Sequence, residues 1–215
     1  MMDIENIKKS IEKLFKNTVQ KDHKIHNANL LVHSDKLGVH LNIAEGITNN
    51  LPANENQPYY IASVGKLFTS VLLSVLIEQG KLSYEDLITS YLNEDLLHNL
   101  HVFKGTDYTN QIRIRHLLNH TSGIHDYFGD KPKHTVPMID RIVNEPTHFW
   151  TPVEVIQWSK ENLESHSPPG KGFHYSDTGY QILGMIIENV TSIPFYAALE
   201  KYIFKPLEMN HSYLA

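Results

Sequence analysis

Apolar residues recur at steps of three and four between positions 61 and 80: Val64, Leu67, Phe68, Val71, Leu72, Val75 and Leu76. That period is helical, and Gly80 stands where such a helix would stop. Adding Leu73 and Ile77 wraps apolar surface around most of the cylinder, which predicts a helix packed inside a domain. One narrow polar line breaks the pattern: Ser63, Lys66, Ser70 and Ser74, each three or four residues beyond the last. Side chains so spaced share one helix face.

The rest of the chain is arranged around this segment. Ile4, Ile7, Ile11, Leu14 and Phe15 predict an amphipathic first helix. Residues 29–33 and 38–44 are short apolar-rich runs joined by Ser34-Asp35-Lys36-Leu37, the pattern of a β-hairpin. Residues 49–58 form a polar loop leading to Tyr59, Tyr60 and Ile61. Beyond Gly80, residues 81–95 suit a loop with one short helix. Residues 114–119 suit another, stopped by His120-Thr121-Ser122-Gly123. Positions 125–150 mix His, Pro and aromatic residues without a period and are expected to be irregular. Thr151-Pro152-Val153-Glu154 combines a capping box with proline at the first helical position, so a helix should run to about Leu163. Ser167-Pro168-Pro169-Gly170-Lys171-Gly172 is a rigid turn. After Tyr175-Ser176-Asp177 a helix carries Ile182, Met185, Ile186 and Val190 on one face. Pro194 opens a last helix with Phe195, Leu199 and Tyr202, and Pro206 ends it.

At 215 residues and 41% hydrophobic content, the chain can bury one sizeable core. A net charge of −5 without any Lys/Arg block argues against nucleic acid as a partner. Cysteine is absent, so disulfides and thiolate chemistry are excluded. The first ten residues are polar and lack an apolar signal core, and the longest apolar stretch, 71–77, is broken by Ser74. No membrane span is expected, and either a cytoplasmic or an exported, signal-cleaved protein fits.

Lysine is rarely buried without a partner, so Lys66 needs a reason to be where it is. A serine hydroxyl becomes a nucleophile when a base takes its proton. Ser63 falls at the first turn and Lys66 one turn later, where both can face one cavity. Burial and the positive end of the helix both favour a neutral lysine. The unpaired N–H groups of the first turn could hold an oxyanion. A plain N-cap at Ser63 with Lys66 reaching to solvent fits S-x-x-K equally well, so the motif alone does not decide.

Five landmarks in order decide it. They are the hairpin at 28–46, Tyr60-Ile61-Ala62-Ser63-Val64-Gly65-Lys66, His116-Leu117-Leu118-Asn119-His120-Thr121-Ser122-Gly123, Pro169-Gly170, and Tyr175-Ser176-Asp177-Thr178-Gly179-Tyr180. Pro206-Leu207-Glu208-Met209 agrees with them. Together they resemble the serine β-lactamase and penicillin-binding protein superfamily, in its class C β-lactamase, D-aminopeptidase and esterase branch. The resemblance implies an α+β, β-lactamase/transpeptidase-like fold. This chain would supply mainly the helical part plus the N-terminal hairpin, as one domain over 1–215 with parts at 1–58 and 59–215. It implies catalytic roles for Ser63 as acylated nucleophile, Lys66 as its proton acceptor and Tyr175 as proton shuttle. Asp177 stands at a substrate-binding position.

Two departures qualify the resemblance. The third residue of the tyrosine motif is usually asparagine, which donates and accepts; the carboxylate of Asp177 only accepts. It should weaken the grip on an amide carbonyl, keep Lys66 charged and favour esters over β-lactams. Only 40 residues follow Tyr175. None resembles the strand bearing the family's third motif, Lys/His-Thr/Ser-Gly, so the C-terminal sheet strands are expected to be missing. Unpaired strand edges would then invite homo-oligomers.

The expected function is serine acyl hydrolysis of a small-molecule ester, amide or peptide through a Ser63 acyl-enzyme. The alternatives are a catalytically impaired binding or sensor homologue and a D-Ala-D-Ala carboxypeptidase or β-lactamase. No cofactor and no metal are expected. His116 and His120 lie at i, i+4, but H-E-x-x-H is absent and the family turn already accounts for both. His98, His101, His125 and His134 are expected to be solvated, and Trp150 and Trp158 to line core and cleft. Gly170-Lys171-Gly172 lacks the phosphate-loop pattern.

Overall fold

A computed structural model describes residues 4–214. The chain divides into two compact units, Met1–Tyr60 and Ile61–Ala215.

The first unit holds helix α1 (Ile4–Lys21) and a small antiparallel sheet. Along α1 the apolar stripe is shallow: Val19 is buried, whereas Leu14 is exposed. Strands β1 (Asn27–Ser34) and β2 (Val39–Thr48) pair from Asn27 opposite Gly46 to Ser34 opposite Val39. A 3₁₀ turn over Asp35–Leu37 joins them, closed by Gly38 at φ 60°. The hairpin is therefore longer than its apolar runs. The polar loop also contributes a strand, because β3 (Leu51–Pro52) pairs with the end of β2. Two residues are too few to show an alternating pattern in sequence.

The second unit is mostly helical. A 3₁₀ turn (Ala62–Val64) leads into α2 (Gly65–Glu78). Then come α3 (Glu94–Leu97), the two-stranded ribbon β4 (Val102–Phe103) and β5 (Thr106–Asp107), and α4 (Ile114–Leu118). Next are α5 (Met138–Asn144), α6 (Pro152–Asn162), α7 (Asp177–Thr191) and α8 (Phe195–Leu199), which continues into a π-helical turn at Glu200–Phe204. The capping box of α6 forms as its sequence requires: Thr151 Oγ1 accepts from the Glu154 N–H at 3.2 Å, and Glu154 Oε2 accepts from the Thr151 N–H at 2.8 Å. α5 corrects the expectation of an irregular stretch at 125–150. It is a two-turn helix whose Met138 packs with Val155 and Trp158 in a small second core, beside Trp150. Seven residues give too few repeats for a period to stand out among the histidines and prolines.

Leu72, Leu73 and Leu76 of α2 are fully buried against Ile114 and Leu117 of α4, Ile156 of α6, and Ile182, Leu183, Ile186 and Ile187 of α7. The opposite side of α2 corrects the expectation of a helix enclosed all round: Val64, Leu67 and Val71 are 60%, 61% and 41% exposed. Apolar periodicity shows how much surface a helix offers, not how many layers cover it. The polar line along α2 has specific partners. Ser70 Oγ lies 3.2 Å from the Tyr180 hydroxyl, and Ser74 Oγ lies 2.9 Å from that of Tyr84.

A second correction concerns the histidines. His98 and His134 are exposed, but His101 and His125 are buried at 0% and 1% exposure. The loops around them fold back over the core instead of standing in water. Among the described residues no single helix is long and apolar enough to cross a membrane. α7 and the Phe195–Phe204 segment are apolar enough together, but they bend by 73° and supply much of the core.

Candidate active site

Backbone pairing between two distant loops builds the site. The turn His120–Gly123 accepts hydrogen bonds from the 166–174 segment at three points. The His166 N–H reaches Gly123 O at 2.8 Å, the Gly170 N–H reaches Thr121 O at 2.8 Å, and the His174 N–H reaches His120 O at 2.9 Å. The approach is so close that Gly123, at φ 76°, has no room for a side chain: an added Cβ would sit 1.9 Å from the Ser167 carbonyl oxygen. Gly123→Ala should therefore destabilise the fold by about 2–4 kcal/mol, from left-handed backbone strain plus overpacking. Urea unfolding would show this as a lower midpoint with an unchanged slope.

That pairing carries Tyr175 to α2. Ser176 Oγ then caps α7 by accepting from the Gly179 N–H at 3.1 Å, so the capping role falls to Ser176. Asp177 turns instead to Lys66 and forms a direct ion pair with its ammonium. Both side chains are largely shielded, at 16% and 19% exposure. Lys66 Nζ also donates to Ser63 Oγ at 3.3 Å, and lies 4.9 Å and 5.5 Å from the ring centres of Tyr175 and Tyr180. The amine thus sits in a polar slot with a hydroxyl on one side, a carboxylate on another and two aromatic faces around it.

Burial, the largest single influence on Lys66, lowers its pKa. Hydrogen bonds and charge interactions with Asp177 and Tyr175 together outweigh it, so the amine is held above its ordinary value. Burial alone would favour a neutral base; the ion pair with Asp177 instead favours the ammonium form beside Ser63. The residue before the serine, Ala62, adopts φ 46°, a left-handed conformation unusual for a side-chain-bearing residue. It turns the chain so that Ser63 projects from the short 3₁₀ turn at the mouth of α2.

Two supporting residues escaped the sequence reading. His120, at φ 58°, stacks on Tyr175 with ring centres 4.3 Å apart, and its Nδ1 accepts from the Ser176 N–H at 3.1 Å. Burial first, and then the Lys66 charge, push its pKa down, which suits this acceptor role. Asp126 is buried, and its Oδ1 accepts from the Asp177 N–H at 2.8 Å, fixing the first residue of α7. Burial pushes its carboxyl pKa up against the opposing backbone N–H groups. His120 read only as part of a turn. Asp126 carried no motif at all, since its partner lies 51 residues away.

Comparison with known proteins fits this arrangement. The family model described as Beta-lactamase matches residues 12–215. The chain belongs to the Beta-lactamase family. Penicillin-binding protein 4* of Bacillus subtilis (strain 168) is 29% identical over 217 residues, which cover 97% of this chain and 42% of that protein. An octameric penicillin-binding protein homologue from Pyrococcus abyssi is 26% identical with a TM-score of 0.69, over 97% of this chain and 44% of that one. A D-stereospecific amidohydrolase from Streptomyces sp. is 26% identical with a TM-score of 0.67, over 80% and 47%. This Beta-lactamase family chain thus spans less than half the length of these relatives. Its architecture is the helix-rich α+β, β-lactamase/transpeptidase-like fold.

Proposed function

We propose that this chain carries the nucleophile and proton-handling groups of a serine acyl hydrolase. The observation that carries the reading is the convergence of the exposed Ser63 and Tyr175 on the shielded Lys66–Asp177 ion pair. Ser63 Oγ attacks the substrate carbonyl as its proton passes to Lys66 in the neutral form. The Ser63 N–H supplies half of an oxyanion hole. Tyr175 delivers a proton to the leaving group and is reprotonated from Lys66; water then attacks the acyl carbonyl, losing its proton to the Lys66–Tyr175 pair, which returns one to Ser63 Oγ as the acid leaves. Asp177 offers no donor to an amide carbonyl, so simple esters are the favoured substrates. The names of the relatives, a penicillin-binding protein and a D-stereospecific amidohydrolase, support acyl-transfer chemistry at such a site.

One observation favours a second reading, a binding or sensor domain: the direct Lys66–Asp177 ion pair, which favours the ammonium over the free base. Fluorophosphonate labelling followed by intact-mass measurement separates the two. The hydrolase reading expects one adduct, lost in Ser63→Ala, and p-nitrophenyl ester turnover faster than nitrocefin turnover. A folded chain that takes no adduct from neutral pH to beyond the ordinary lysine range would leave only the binding domain.

A further inference from the structure

Among the described residues, one group of metal-competent side chains converges outside the Ser63 slot: Asp130, His166 and His174. Nε2 of His166 lies 2.8 Å from Asp130 Oδ2, and Nε2 of His174 lies 3.2 Å from the same oxygen. The two imidazoles are stacked, with centres 3.5 Å apart and planes 21° from parallel, and both Nε2 atoms lie beside the same carboxylate oxygen. All three ligand atoms lie within 4.8 Å of one another.

The backbone holds each donor. The amides of His166 and His174 are tied to the 120–123 turn, and Asp130 Oδ2 accepts from the Asp126 N–H at 2.7 Å.

We propose that Asp130, His166 and His174 form a three-ligand site for a divalent transition metal of the zinc type. Around a tetrahedral ion with bonds of about 2.0–2.1 Å, neighbouring ligand atoms stand about 3.3 Å apart. The two nitrogen–oxygen separations, 2.8 and 3.2 Å, already lie within tenths of an ångström of that spacing, and an entering ion would part the stacked rings to give the two nitrogens the same spacing. Two imidazoles with one carboxylate select zinc-like ions over magnesium or calcium, which prefer all-oxygen shells. His166 is 41% exposed, giving an ion a way in and leaving its fourth position to water. His174 immediately precedes Tyr175, so a bound ion would stiffen the loop that brings the phenol to Lys66.

Titrating chelator-stripped protein with zinc in a calorimeter tests the site, with cobalt(II) visible spectra to report geometry. The expected result is one equivalent bound, a tetrahedral cobalt spectrum and a raised melting temperature. His166→Gln and Asp130→Asn should each weaken zinc binding by about a hundredfold or more. The exposed-histidine controls His98→Gln and His134→Gln should bind as the parent does. Because His166 is on the surface, its variant keeps the test valid even if Asp130→Asn fails to fold. Equal zinc affinity in the parent and His166→Gln, or an octahedral cobalt spectrum alone, overturns the proposal and leaves a hydrogen-bonded trio.

Discussion

Lys66→Ala should slow covalent labelling of Ser63 by about 10²–10⁴-fold, the usual contribution of a positioned proton acceptor. Asp177→Asn should act in the opposite direction below the pH at which Lys66 loses its proton. In the parent, Asp177 and Tyr175 hold the Lys66 pKa above its ordinary value, so the free amine is scarce at neutral pH. Labelling should then rise as pH rises and level off only above the ordinary lysine range. Removing the carboxylate takes away the main influence that raises the pKa and leaves Tyr175 alone to oppose burial, which lowers it. The profile should move toward acid, with about tenfold more free amine at a given pH for every unit of that movement. Rates of fluorophosphonate labelling across pH, read by mass spectrometry, measure both variants. Parallel profiles for the parent and Asp177→Asn would mean that Lys66 does not take the serine proton.

Acidification should unfold the chain through two buried histidines, His101 and His125. Burial pushes His101 and His125 down to about 4, with Asp107 and Asp130 respectively providing only partial relief. In the unfolded chain both return to about 6.5. Between these values the unfolded state binds protons that the folded state refuses. Stability is therefore fully present above about pH 6.5 and lost as pH falls toward 4. At about 1.4 kcal/mol per unit, each histidine contributes about 3 kcal/mol to the loss. The two are coupled, because His101 itself lowers His125, so the pair contributes less than the sum, still a large part of the 5–15 kcal/mol typical of a domain. Urea midpoints at near-neutral and mildly acidic pH measure it. His101→Leu and His125→Leu should each flatten the dependence by about half, whereas His98→Gln should not.

Much of the fold could be read locally. The spacing from Val64 to Leu76, the Thr151 capping box and the hairpin around Asp35 are signals written within a few residues, and each forms as written. What escaped depends on long-range placement. His101 and His125 sit in loops whose composition suggests water, yet core packing covers them. The exposed side of α2 carries the same leucines and valines as the buried side, and sequence cannot say which side meets a neighbour. Within the site, Ser63, Lys66, Tyr175 and Asp177 were named through ordered motifs. Asp126 and His120 act through single hydrogen bonds to backbone groups far along the chain, for which no spacing rule exists.

The partners Lys66 and Asp177 are 111 residues apart, and the backbone stitches that align them are themselves distant pairings. Contacts of such span form only after most of the intervening chain has been ordered. The Ser63–Lys66–Asp177 cluster therefore serves as a gauge of the whole second unit. Labelling at Ser63 should vanish along the same denaturant curve as the helical signal, and no excised peptide holding only one half of the pair should react.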